Sequence, residues 1–404
     1  MSNAEGSHPA QFGRAMLAQW ALDPAITYLN HGTVGAPPRR VLDAQQKLRT
    51  EIEKQPSRFL LRELTATGVG KSPPEQPRLR AAAGKIAHFL GVDGKDLVFV
   101  DNATSGANAV LRSFDFREGD EVLILNHAYG AIRNAAEYAV RTRGARVHTV
   151  ELPDPVRSQE SVIEAIEAGI HSKTRLAVID HITADSALVL PVSEIAARCR
   201  RHGVAVLVDG AHAPGAIRLD ISSLGVDWYT GNLHKWAWSP RSSGVLWTNP
   251  ARQASLHHTV ISWGLDQGIT QEFDWPGTRD PTPHLCAPEG IAYMQELGVD
   301  SVQRYNHELA WNAGREMGAR WDSRALGPKE MTGTMVSLPL PGRLGSTRED
   351  AAALREALLF EDDIEVHLYS RNQRLYLRVS AQIYNDMGDV ERLIRAIDSR
   401  LDNR

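Results

Sequence analysis

Asp209 closes an apolar run over 204–208 and is followed by Gly210, Ala211 and His212. Lys235 stands 26 residues further on, between His234 and Trp236, and a second apolar run over 245–247 leads away from it. An acid at the carboxyl end of a strand and a lysine on a turn beyond it suit pyridoxal phosphate. That cofactor needs an amine for its Schiff base and an acid to keep its ring nitrogen protonated. A carboxylate about 3 Å from the ring cation gains roughly 5 kcal/mol at an effective dielectric near 20, before desolvation. The lysine has to lose its proton to attack an aldehyde, so its neighbours should lower its pKa. Trp236, Ala237 and Trp238 supply apolar surroundings. Either residue alone would read as a strand-end acid or a solvated lysine. Their spacing, with His212 and His234 beside them, favours the cofactor.

Other elements have to bring further groups to this place. Apolar runs over 97–100, 122–125 and 176–179 each end in polar residues: Asn102 to Ser105, then His127 and Tyr129, then His181 and Thr183. Helical stretches separate these runs, and continuous apolar runs of this kind predict a parallel sheet covered on both faces. Ligands in such sheets bind beyond the carboxyl ends of the strands, so the polar clusters are expected to form one site. Asn102-Ala103-Thr104-Ser105-Gly106 lies between a strand and a helix, where backbone N–H groups and a hydroxyl can cradle a phosphate or simply cap the helix. The pattern predicts a lead-in helix over 10–26, helices over 41–54 and 75–90, and a loop over 65–74. After Pro250 it changes to one long helix over 299–321, with strands over 335–340, 364–367 and 374–380. Shorter helices are expected over 288–297, 349–360 and 387–401, giving a smaller α+β unit. No G-x-G-x-x-G follows a strand, which argues against a nicotinamide-binding Rossmann enzyme.

Several segments together carry a resemblance. VDGAHAPG around Asp209, TGNLHKW around Lys235, LNHGTVGAPP over 29–38, the Gly277-Thr278 pair, and R-x-S at Arg378 followed by Tyr384-Asn385 resemble the class V aminotransferases. Within these fold-type I pyridoxal phosphate enzymes, the isopenicillin N epimerase-like branch is the most similar. The resemblance implies an α/β fold-type I architecture: a mainly parallel seven-stranded sheet in a large cofactor-binding domain over 28–284, and a small α+β domain from 10–27 plus 285–404. It implies that Lys235 carries the cofactor, Asp209 pairs with its ring nitrogen and His212 packs beside it. Ala103, Thr104, Asn232 and His234 would hold the phosphate, and Thr183 would reach the phenolic oxygen or the substrate. His127 stands where the family places the ring that stacks on the cofactor, with Tyr129 as its rival. Thr278 would contact the cofactor phosphate of a second subunit, which implies a homodimer with shared sites. Asn30 and Arg378 would meet the substrate, the arginine through a bidentate grip on its α-carboxylate. No cysteine lies shortly before the R-x-S strand, where the desulfurase branch has its nucleophile, so a persulfide mechanism is not expected.

The rest of the chain narrows the partners. It has 404 residues, 42% of them apolar types, and a net charge of −4, with no basic field for nucleic acid or an acidic membrane. Its two cysteines, Cys199 and Cys286, form no metal-binding spacing and no disulfide framework, so no metal is expected and a reducing cytoplasm is the simplest location. No apolar run of about 18 residues suggests a membrane span. Ser2-Asn3-Ala4 reads as an expression scar. The expected function is pyridoxal phosphate chemistry at the α-carbon of an amino-acid-like small molecule. Epimerisation leads, with C–S lyase β-elimination and transamination as alternatives, and a catalytically silent pyridoxal-binding protein as the alternative of another class.

Overall fold

The computed structural model describes residues 12–65 and 76–402; the expected loop over 65–74 and the Ser2–Ala4 segment fall almost wholly outside them. A seven-stranded sheet dominates: β1 (Leu97–Val100), β2 (Glu121–Leu125), β3 (Arg146–Val150), β4 (Thr174–Asp180), β5 (Ala205–Gly210), β6 (Trp228–Asn232) and β7 (Gly244–Thr248). Their spatial order is β1-β7-β6-β5-β4-β2-β3. Every pairing is parallel except those of β7, which runs antiparallel to both neighbours. β1, β2, β5, β6 and β7 are buried along their whole length. Helices cover both faces, which is why these strands lack an apolar-polar alternation.

The connecting helices start where polar strand ends stop. Helix α1 (Ala103–Ser113) follows β1, and the Asn102 side chain caps it by accepting from the Ser105 N–H at 3.0 Å. Helix α2 (Gly130–Arg141) follows β2. Gly106 lets α1 lie on the sheet, since a Cβ there would sit 2.2 Å from Thr230 Oγ1. The second core surrounds a three-stranded antiparallel sheet of β8 (Met335–Pro339), β9 (His367–Arg371) and β10 (Arg374–Ser380), ordered β9-β10-β8. The long helix Val299–Trp321 packs on it. Thr27–Tyr28 pairs in parallel with Ile364–Glu365 as a separate two-stranded sheet, which ties the N-terminal segment to the C-terminal part of the chain.

Some elements differ from the sequence expectation. The lead-in is a short 3-10 segment, Arg14–Gln19, rather than a helix over 10–26. Trp20 is instead extended and fully buried, with its indole donating to the Ala36 carbonyl at 2.9 Å. The helix expected from 288 begins at Thr282 and carries Pro288 inside it. The strand expected over 364–367 divides into Ile364–Glu365 and His367–Arg371, which belong to different sheets. Among the described residues, no helix is long and apolar enough to cross a membrane.

Candidate active site

The carboxyl ends of β1, β4, β5 and β6 open into one cavity of about 530 Å³. Asp209 and Lys235 both line it, with His212, Asn232, His234, Ala103, Thr104 and Tyr129. Asp209 is 4% exposed and one of its oxygens accepts from the Ala211 N–H at 3.0 Å. Burial pushes its pKa up, while the Ala211 N–H and the charge of Lys235 pull it down.

Lys235 sits on a tight turn pinned from several sides. The N–H groups of Leu233 and His234 both donate to the Ser243 carbonyl, at 2.9 and 3.2 Å. The carbonyl of Lys235 meets His31 Nε2 at 3.0 Å, and His31 Nδ1 meets the Tyr384 hydroxyl at 2.8 Å. Gly35 passes so close that a Cβ there would lie 1.8 Å from the His234 carbonyl oxygen, and its φ of 66° is itself a glycine conformation. The Lys235 amine is 3.1 Å from His212 Nε2. Burial first, and then the charge of Arg378, lower its pKa to about 7, against an opposing pull from Asp209. Burial also holds His212 far below the ordinary histidine value. Trp236 Nε1 lies 3.5 Å from His212 Nδ1. If it donates there, the neutral imidazole carries its proton on Nε2 and donates it to the lone pair of an un-ionised lysine.

The N-terminus of α1 forms the opposite wall. The Ala103 N–H donates to Asn232 Oδ1 at 2.8 Å, which ties the helix start to the end of β6. Thr104 and Ser105 face the cavity beside them. His234 donates through its Nδ1–H to the Ser243 carbonyl, 3.0 Å away, and burial lowers its pKa to about 4. Arg241, which the sequence reading passed over, lines the same cavity and donates to the Gly35 carbonyl at 3.0 Å. This donor set fits pyridoxal phosphate: the Thr104 N–H and the Thr104 and Ser105 hydroxyls at the start of an 11-residue helix for a phosphate, a buried carboxyl for a ring nitrogen, and a lysine of lowered pKa on the same cavity wall.

Not every expected residue reaches the cavity. His127 faces an adjoining cavity with Arg371. Its Nδ1 meets the Ser186 hydroxyl at 2.5 Å, and burial with the Arg371 charge lowers its pKa to about 3. Tyr129, at the start of α2, is the aromatic ring on the wall of the Lys235 cavity, and it is 51% exposed. Two more residues along the chain turn the side chain back over the strand ends. Thr183 is buried with its hydroxyl bonded to Ser186 Oγ at 2.7 Å and to the Leu188 N–H at 2.8 Å, so it shapes its own turn. Ile182 and Ala184 line the cavity in its stead. His181 points to the other side of the sheet, with Nδ1 2.8 Å from the Tyr229 hydroxyl, and burial lowers its pKa to about 4. Thr278 is exposed on a bend after Trp275-Pro276, away from this chain's cavity.

Asn30 and Arg378 meet behind the cavity wall. Arg378 is 2% exposed; it donates to Thr33 Oγ1 at 2.8 Å, to Asn30 Oδ1 at 3.2 Å and to the Ala184 carbonyl at 2.5 Å. Its Nε–H is buried without a partner. Burial lowers its pKa to about 10, which leaves it charged at neutral pH. Thr33 and Ala184, its two partners, themselves line the cavity. Cys199 and Cys286 are both buried in helices, and burial pushes their thiols up to about 12. Neither lines the cavity.

A family model described as Aminotransferase class-V matches residues 28–393. A probable chloroplastic L-cysteine desulfhydrase of Arabidopsis thaliana is 33% identical over 93% of this chain and 83% of that protein. An isopenicillin N epimerase of Amycolatopsis lactamdurans is also 33% identical, over 94% of this chain and 96% of that protein. In structure, the cystine C-S lyase C-DES in complex with cysteine persulfide superposes with a TM-score of 0.76 over 95% of this chain and 99% of that chain, at 21% identity.

Proposed function

Because the chain belongs to the class V aminotransferase family, whose enzymes use pyridoxal phosphate, we propose that it is a C–S lyase that eliminates the β-sulfur of a cysteine-type amino acid. The observation that carries this reading is one-sided basicity. Lys235, held near its neutral form beside His212, lines the cavity. Of the other strand-end groups able to carry a proton, His181 and His127 lie outside it and Tyr129 lines it. Elimination needs a single base at the α-carbon, whereas epimerisation needs a base on one face and an acid on the other.

The cofactor supplies an electron sink once bound. Asp209 holds the negative charge opposite its ring nitrogen, and Ala103, Thr104, Asn232 and His234 hold its phosphate. Tyr129 and His212, both on the cavity wall, would flank the ring. Lys235 would attach the cofactor, and its amine, when free, would take the substrate's α-proton. Arg378, behind the wall with Asn30, would draw the substrate carboxylate by its charge, through Thr33 and Ala184, which it holds on the cavity wall. Lys235 keeps the α-proton while the Cβ–S bond breaks, and the sulfur leaves with the bond pair as thiolate. The 2-aminoacrylate product hydrolyses in water to pyruvate and ammonia. Thr278 of a second copy completes the phosphate site, which makes the working unit a homodimer. The buried, un-ionised thiols suit a reducing, cytoplasmic setting.

Epimerisation is the second reading. Tyr129 on the cavity wall is the observation that favours it, and the isopenicillin N epimerase relatives agree. Incubation with cysteine and S-substituted cysteines in heavy water separates the two. Pyruvate and thiol in equal amounts support the lyase. Recovered amino acid with deuterium at an inverted α-carbon, and no pyruvate, would replace it with the epimerase.

A further inference from the structure

Asp180 ends β4 as Asp209 nears the end of β5, and the two are register partners in the parallel pair. Register partners point their side chains to the same face of a sheet. Both lie 4% exposed and both line the cavity. The backbone holds them there: the His181 N–H donates to the Asp209 carbonyl at 2.8 Å. The Tyr129 N–H faces the Asp180 carboxyl closely enough to favour its charged form, and both residues line the cavity. No role above uses Asp180, although it is a carboxyl beside the acid expected to carry the site's negative charge.

We propose that Asp180 is a positioning residue that serves as the un-ionised half of a carboxyl pair, anchoring Tyr129 and leaving the pair's single negative charge on Asp209.

Two buried carboxylates on neighbouring strands repel strongly, so such a pair keeps one proton at neutral pH. The surroundings decide which partner keeps it. Asp209 has Lys235 near it as a counter-charge and the Ala211 N–H on its oxygen. Burial first, then the negative charges of Asp209 and Asp185, raise the pKa of Asp180, and they outweigh the opposing pull of its own N–H and the Tyr129 N–H. The other ionisable groups on the cavity wall are Tyr129, then His234 and Lys235 on the lysine turn, Arg241 beyond it and Asp101 after β1. His212 stays neutral. An un-ionised Asp180 still offers a carbonyl oxygen to the Tyr129 N–H. The backbone of Tyr129 is thereby tied to β4 by a group that adds no second charge to the cavity.

The role of Asp180 holds whichever reaction the site performs, so its test uses the cofactor-free protein first. Infrared difference spectra at neutral pH should show a protonated carboxyl band that disappears in Asp180→Asn and survives in Asp209→Asn. Survival in Asp180→Asn with loss in Asp209→Asn would put the proton on the other acid and overturn the proposal; so would absence of the band from the wild type. A stability titration is the second readout. A raised folded pKa means the native state holds a proton that the unfolded state has released, so the wild type loses stability as pH rises from about 4. Asp180→Asn should lose less over the same range; an unchanged slope contradicts the idea. In the loaded protein, Asp180→Asn should keep the cofactor's absorption and its dissociation constant within about twofold. Asp180→Leu, neutral but unable to accept from Tyr129, should weaken binding about tenfold. Equal behaviour of the two variants would refute the anchoring role.

Discussion

Lys235 should make the cofactor-free protein less stable at neutral pH than a variant without it. Its pKa falls from 10.5 to about 7 on folding, mainly because the amine is buried. Between those values the unfolded chain holds the proton and the native state has released it. Stability therefore rises with pH from about 7 to about 10.5, and the full penalty applies below 7. The gap corresponds to roughly 4–5 kcal/mol at 1.36 kcal/mol per pH unit. Lys235→Met removes this penalty, and it also leaves His212 Nε2 without its partner, which costs a part of the gain that does not depend on pH. The pH dependence isolates the lysine. The stability advantage of the variant should shrink by roughly 3 kcal/mol between pH 7 and pH 9.5, measured by urea unfolding of cofactor-free protein. A second measurement reads the same proton kinetically. At pH 7 about half of Lys235 is neutral, against roughly one in three thousand for an ordinary lysine. Capture of added pyridoxal phosphate should therefore show an inflection near pH 7, and Arg378→Met should move it upward because that cation disfavours the charged amine. A stability difference that stays constant with pH, or an inflection at 9 or above, would refute the reasoning.

Three further outcomes are expected. Gly35→Ala should lose most cofactor binding, because its Cβ would collide with the His234 carbonyl at a left-handed position; retained binding, read from absorbance after dialysis, would mean the turn yields. Replacing Cys199 and Cys286 together by alanine should leave turnover within about threefold at a cost of a few kcal/mol in stability, since both thiols are buried away from the cavity; loss of turnover in the folded variant would bring back a cysteine nucleophile. The protein should sediment as a dimer, with Thr278→Ala weakening phosphate retention without changing the mass; a fully active monomer would remove Thr278 from the site.

Asp209, Lys235 and the 102–105 turn were legible because each is local. An acid ends an apolar run, a lysine follows a histidine on a turn, and a polar segment starts a helix; each is fixed by neighbours in sequence. The same is true of the long helix Val299–Trp321 and the strand Arg374–Ser380, whose bounds the pattern reproduces. β6 was missed because Trp228–Asn232 contains threonine, glycine and asparagine, and is a strand only through its pairing with β5 and β7. The choice between His127 and Tyr129 also lay beyond the sequence. Both follow the same strand, and the loop over 126–129 decides which ring turns over the cavity and which turns toward Ser186 and Arg371. Thr183 reads as a free hydroxyl until its turn folds back onto Ser186 and Leu188. His31 and Gly35 lie 204 and 200 positions before Lys235 yet hold the lysine turn, and Asp180 gains its meaning only from register with Asp209. The sequence alone determined which groups could do the chemistry, since side-chain type and strand-end position are local properties. The tertiary structure decided which of them share a cavity, and which protons they keep, because desolvation and charge proximity depend on contacts between distant parts of the chain.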